Sequence, residues 1–94
     1  MISVLIERNI AMDMASTYEA MAKNTLHHAY QATGFINGET FTDINNPLRR
    51  FVLSKWRSVQ DWHNWAHSEA RKNQMNEINL LLQEQEKISI LENS

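Results

Sequence analysis

Two histidine pairs, a cluster of three tryptophans and a few strand-borne arginines are the residues whose types and spacing could do chemistry in this chain. His63 and His67 stand four apart in Asp61-Trp62-His63-Asn64-Trp65-Ala66-His67-Ser68, a spacing that puts two imidazoles on one helix face, as in zinc sites. No glutamate completes a His-Glu-x-x-His register and no third ligand accompanies the pair, so both are expected to face solvent and no metal is expected. His27 and His28 are neighbours, which point about 100° apart on a helix and cannot converge on one ion. His28 falls at the edge of an apolar stripe and is a candidate for lining a pocket. Trp62 and Trp65 share a helix face one turn after Trp56, which suits a core and also a flat ligand platform with one N–H donor.

Arg8, Arg49 and Arg50 are most simply solvated or paired with Glu7, Glu39 or Glu92. An arginine pointing inward would instead suit a carboxylate or phenolate. Met12, Met14, Met21 and Met75 read as core or pocket filling. The two glycines, Gly34 and Gly38, are too few for a nucleotide-binding loop, and no serine-nucleophile motif is present. With no cysteine there is no thiolate nucleophile, disulfide or Cys-ligated metal site. Nothing in these motifs forces an enzymatic reading.

A chain of 94 residues makes one domain, 1–94, with a modest core that a second subunit would extend. Its 43% hydrophobic and 21% charged content is that of a globular domain. A net charge of −2 gives no electrostatic footprint for nucleic acid. No apolar run is long enough for a membrane span and no secretion-signal pattern opens the chain, so a cytoplasmic setting is expected.

The elements that must position these residues follow from periodicity. Ile2-Ser3-Val4-Leu5-Ile6-Glu7-Arg8-Asn9 is β-branched and apolar on both faces, the pattern of a central strand. From about Asp13, the stripe Met14, Tyr18, Met21, Ala22, Thr25, Ala29 predicts an amphipathic helix closing before Gly34. Phe35 to Thr42 predicts a strand, Asp43-Ile44-Asn45-Asn46-Pro47 a turn, and Leu48 to Trp56 the returning strand of a hairpin. Ser58-Val59-Gln60-Asp61 has the form of a capping box, so the next helix starts at about Ser58. Ser68 can cap a second helical piece after a bend, with Met75, Ile78, Leu81 and Leu82 as its stripe. Ile88 and Ile90 mark a final strand. The sum is α+β: a ferredoxin-like βαββαβ antiparallel sheet with helices on one face. Leu5, Phe35, Phe41, Phe51 and Leu53 predict that the other face is also partly apolar and needs a cover.

The strand ending in Trp56, then Ser58, then a short helix ending near Trp65, with the Thr33-Gly34-Phe35 step, resembles the antibiotic biosynthesis monooxygenase (ABM) family over nearly the whole chain. That resemblance implies a dimeric α+β barrel in which two sheets pack face to face. It also implies a pocket between sheet and helices where a substrate phenolate meets O₂ without a cofactor. Family members include cofactor-free oxidases of polycyclic phenols, quinol-type oxygenases and haem-degrading enzymes. In the haem-degrading branch a helical His holds the iron and a first-strand Asn assists; here Met75 stands at the first position, and Arg8, with Asn9 beside it, at the second. The expectation is a cofactor-independent monooxygenase of a small electron-rich aromatic, with Arg8, Asn9, His28, Trp65, His67 and Met75 as candidate substrate-binding residues and the catalytic residues unassigned. The alternatives are a non-catalytic homodimer that binds a small molecule and a haem-binding relative.

Overall fold

The computed structural model describes residues 1–93. In chain order the elements are β1 (Ile2–Asn9), α1 (Ala15–Ala29), β2 (Phe35–Asp43), β3 (Asn46–Trp56), α2 (Val59–Ala66), α3 (Glu69–Ile78), a 3-10 turn (Asn79–Leu81) and β4 (Lys87–Glu92). The sheet is antiparallel throughout, in the order β2-β3-β1-β4. This is the ferredoxin-like α+β arrangement read from the sequence. No helix among the described residues is long and apolar enough to cross a membrane.

Strict alternation along β1 sorts the sheet's two faces. Ile2, Val4, Ile6 and Arg8 are buried beneath the helices, while Ser3, Leu5, Glu7 and Asn9 are only partly covered. The β1–β3 register sets Trp56, Ser54, Val52 and Arg50 opposite the buried four, and therefore on the same face. Two apolar clusters form under the helices. One joins Ile2, Val4 and Ile6 to Trp56, Trp62 and Trp65; the other joins Ile10 to Tyr18, Met75, Ile78 and Leu81. Arg8 lies between Ile6 and Ile10 on the strand, at the seam of the two.

Local signals fixed the helix starts. The Ser58 hydroxyl accepts from the Asp61 amide at 3.1 Å, and the Ser68 hydroxyl accepts from the Arg71 amide at 3.2 Å, so α2 and α3 are two capped pieces with the bend between them. Gly34 has φ +84°, and an added Cβ would collide with the Asp61 side chain. It does not close α1, which ends at Ala29; instead it turns the chain into β2 and accepts from the Arg57 amide at 2.8 Å.

Three expectations need correction. The turn between β2 and β3 is shorter than Asp43–Pro47: β3 starts at Asn46, and Pro47 falls where the register slips between Thr42 and Asp43, so no ladder bond is lost. The last helix stops at Ile78, and Leu81 packs from the 3-10 turn. Phe35 belongs to the helix side, not the open face. A bulge between Phe35 and Asn37 shifts the alternation of β2, and Phe35 stacks edge-on against Trp56 at 5.2 Å and Tyr30 at 4.9 Å.

The open face carries Leu5, Phe51 and Leu53, with Phe41 46% exposed. Beside them Arg49 donates to Glu7 at 3.0 Å and to Asp43 at 3.3 Å and stacks over Phe51 at 4.8 Å. The hydrogen bond from Arg49 holds the Glu7 carboxyl below its ordinary 4.5; the Asn45 amide, then Arg49, holds Asp43 below its ordinary 3.8.

Trp56 is 1% exposed, and its indole donates to the Ser54 hydroxyl at 3.0 Å. Trp56→Ala is expected to cost about 3–5 kcal/mol in urea unfolding through lost burial and a cavity. Because the folded-state values of Glu7 and Asp43 are lowered, their contribution is complete above the ordinary carboxyl range and is lost as pH falls through the folded values. Arg49→Met should therefore flatten the fall in stability below about pH 4.5. An unchanged acid-unfolding slope in the variant would contradict this.

Candidate functional site

Between α1 and the β2–β3 hairpin lies an open cleft of about 390 Å³. Tyr18, Ala22 and Leu26 form its helical wall; Thr40, Thr42, Arg50 and Val52 form its sheet wall. It continues inward into a cavity of about 30 Å³ bounded by Arg8, Thr25, Ser54, Trp62, Trp65 and Arg71, with Ala22, Leu26 and Val52 lining both spaces. Over the sheet α1 presents small side chains, Ala22 at both spaces and Thr25 at the inner one.

The inner end is held by a charged cluster. Arg8 is 3% exposed; its Nε donates to Glu86 at 2.9 Å, its Nη1 to the Tyr18 hydroxyl at 3.2 Å and its Nη2 to the Met75 sulfur at 3.6 Å. Arg71 Nη2 donates to the second oxygen of Glu86 at 3.0 Å, and its guanidinium sits 5.4 Å from the centre of the Trp62 ring. Burial opposes the charge on Arg8, but the Tyr18 oxygen and the Glu86 carboxylate outweigh it and hold Arg8 above the ordinary arginine value. Arg50 faces the same side directly opposite Arg8. Two like charges in that position repel. The structure separates their partners: Arg50 pairs with Glu19 on α1 at 3.0 Å and donates to the Pro47 carbonyl at 2.6 Å.

The six candidate residues are distributed unevenly. Arg8 and Trp65 line the inner cavity. Met75 is buried behind it as the sulfur acceptor for Arg8. Asn9 follows Arg8 in a strand and so points to the opposite face, where it donates to Glu84 at 2.9 Å. His67 is exposed at the end of α2 with Nδ1 against the His63 carbonyl at 2.8 Å, and His63 is exposed beside it. His28 is exposed too, and lies with Thr33, Asp61, Asn64 and Ser68 along a separate open groove of about 440 Å³ on the far side of Trp65. Asn9, His28 and His67 therefore do not meet Arg8 in the cleft.

Sequence reasoning missed Arg71, Glu86, Tyr18 and Ser54 as site residues. Arg71 had a signal, since it stands four and seven residues before Met75 and Ile78, on their stripe. Glu86 had none: it sits in a polar run and meets Arg8 across 78 residues of sequence.

The fold and the cleft define a small ferredoxin-like α+β protein with an open space between sheet and helices. The chain belongs to the family described as antibiotic biosynthesis monooxygenase, whose model matches residues 1–76. Glu86 and β4 lie beyond the matched residues. A search of curated protein sequences gives no match. Among solved structures, one described as an antibiotic biosynthesis monooxygenase superposes with TM-score 0.91 at 12% identity, covering 100% of this chain and 99% of its own. A conserved protein from Methanosarcina mazei Go1 gives TM-score 0.92 at 15% identity over 99% and 92% of the two chains. SnoaB, a cofactor-independent oxygenase from Streptomyces nogalater, gives 0.89 at 6% identity over 98% and 91%. At these identities the likeness shows the shared fold.

Glu86 is the one carboxylate shared by two buried arginines, so Glu86→Gln should be the more damaging substitution, costing about 3–5 kcal/mol. Arg71→Met leaves Arg8 and Glu86 as a balanced pair and should cost clearly less. Urea unfolding of both variants checks the order, and an equal or larger loss for Arg71→Met would contradict the pairing.

Proposed function

We propose that this protein is a cofactor-independent monooxygenase of a small electron-rich aromatic, such as a phenol, hydroquinone or quinol, and that it works as a homodimer. The observation that carries the reading is the cleft: apolar walls wide enough for an aromatic body, ending at buried cations. Membership of the monooxygenase family supports the reaction class. SnoaB, which has the same fold, is a cofactor-independent oxygenase.

In this reading the substrate binds with its hydroxyl toward the cationic end, where opposite charge favours the phenolate. The phenolate passes one electron to O₂; the resulting radical and superoxide combine at a ring carbon bearing hydrogen, and the peroxide anion so formed takes back from solvent the proton the phenol released on ionising. The hydroperoxide then loses the proton of that ring carbon, and its O–O bond breaks with release of water, leaving one oxygen on the ring as a quinone carbonyl. The protein's part is positioning and electrostatic stabilisation. Arg8 acts at the inner end, partly through the Tyr18 hydroxyl it orients, Trp65 forms a wall, and Met75 fixes Arg8 from behind.

The dimer reading rests on the open sheet face, where Leu5, Phe41, Phe51 and Leu53 form an apolar surface beside the Glu7–Arg49–Asp43 ion pairs. A second copy packing sheet to sheet would cover it. A second functional reading, a non-catalytic binding protein, is favoured by one feature: all three Arg8 nitrogens already have protein partners.

An oxygen electrode with simple hydroquinones separates the two. O₂ uptake is expected, rising with pH until the bound phenol is ionised and unaffected by EDTA. No uptake on any hydroquinone, or loss in EDTA with recovery on adding a divalent metal, would reject the proposed mechanism. Light scattering at micromolar concentration should give the dimer mass, and a monomer mass would reject the sheet-to-sheet assembly.

A further inference from the structure

We infer that the inner end of the cleft is an anion subsite, which takes the carboxylate or phenolate of an aromatic ligand on Arg71 while the ring occupies the outer cleft. The inference rests on reading the cleft as the ligand site; it adds the residue that anchors the ligand and extends the ligand class to aromatic carboxylates.

The first support is charge. Arg8, Arg71 and Glu86 form one hydrogen-bonded cluster with side chains 3%, 10% and 9% exposed, so two cations share one carboxylate in a poorly hydrated setting. Such a cluster carries an uncompensated positive charge that an incoming anion would neutralise. The surroundings do not cancel it. Of the other charged side chains lining the cleft, Arg50 and Lys23 are cationic and Glu19 alone is anionic. This is the reverse of the chain's overall charge of −2. A concave cationic region in an otherwise acidic protein would concentrate anions at its mouth.

The second support is donor capacity. Arg8 spends three of its five N–H groups within the protein, one on each nitrogen, whereas Arg71 spends one, through Nη2. Among the described residues, its Nε and Nη1 have no protein acceptor, and neither is a fully buried orphan. Arg71 also borders the inner cavity. Ser54 lines the same space, and because its oxygen accepts from the Trp56 indole, its own O–H proton is free to donate.

The third support is size. At about 30 Å³ the inner cavity has room for a water-sized group, such as one oxygen of a carboxylate or a phenolate, and excludes a ring. The ring is left to the outer 390 Å³, which Ala22, Leu26 and Val52 join to it. Polar head inward and aromatic body outward is thus the one orientation that matches both volumes.

Isothermal titration of the wild-type protein with 2-naphthoate and with its neutral isostere 2-naphthamide tests this directly. The carboxylate is expected to bind about tenfold tighter or more, as a charge-assisted contact should give. Arg71→Met, with folding checked by circular dichroism, is expected to abolish that preference and leave naphthamide affinity within about twofold. Equal affinity of the two ligands for the wild type overturns the inference, as does no naphthoate binding at millimolar concentration or a preference that survives Arg71→Met. Should Arg71→Met fail to fold, Arg71→Gln takes its place with the same expectation, and equal wild-type affinities overturn the inference without either variant. Naphthoate binding through Arg71 without O₂ uptake on any quinol would keep the subsite and reject the monooxygenase reading; O₂ uptake with no naphthoate preference would do the reverse.

Discussion

Glu86 holds two arginines from different parts of the chain on one carboxylate, and the interior arrangement depends on that contact. Through Arg8 it grips β1, through Arg71 it grips α3, and its own position fixes the segment leading into β4. A buried ion cluster seldom adds much net stability, because desolvating three charges offsets most of their attraction. Its effect here is on specificity of arrangement. Arg8 interrupts the apolar face of β1 between Ile6 and Ile10 and keeps the tryptophan cluster and the Tyr18–Met75–Ile78 cluster apart. With its nitrogens fixed by Glu86, Tyr18 and Met75, it also orients the buried Tyr18 hydroxyl in the wall of the cleft.

The two faces of the sheet solve the problem of strand-borne charge differently. On the open face Arg49 pairs within the sheet with Glu7 and Asp43, where solvent screens all three. On the helix face Arg8 and Arg50 stand opposite each other and are drawn apart, one toward Glu86 and the other toward Glu19. The cleft opens along that divergence. Its cationic inner end follows from the inward position of Arg8, and its apolar walls are those of Ala22, Leu26 and Val52.

Much of this was legible in the sequence. Ser58 and Ser68 marked their helices because a hydroxyl followed three residues later by a free amide is a local signal, and Gly34 marked a position that only a residue without Cβ fills comfortably. The alternation Ile2, Val4, Ile6 carried the information that sets Arg8 inward and Asn9 outward, but Leu5 on the opposite face masked it, so both residues read as pocket candidates. What could not be read was long-range. A single bulge moved Phe35 from one face of β2 to the other, and no periodicity in Gln83-Glu84-Gln85-Glu86 singles out Glu86 as the partner of a residue at the start of the chain. The histidines drew attention by residue type, yet their helices turn them to solvent.

The central claim is that the Glu86 cluster leaves a net positive charge at the inner end of the cleft and that this charge sets how a ligand binds. A crystal structure of the protein with 2-naphthoate tests it most directly. The account predicts the carboxylate within hydrogen-bonding distance of Arg71 and the rings between Leu26 and Thr40. Naphthoate seated instead in the groove beside His28 and Asn64, or with its carboxylate turned out to solvent, would contradict it.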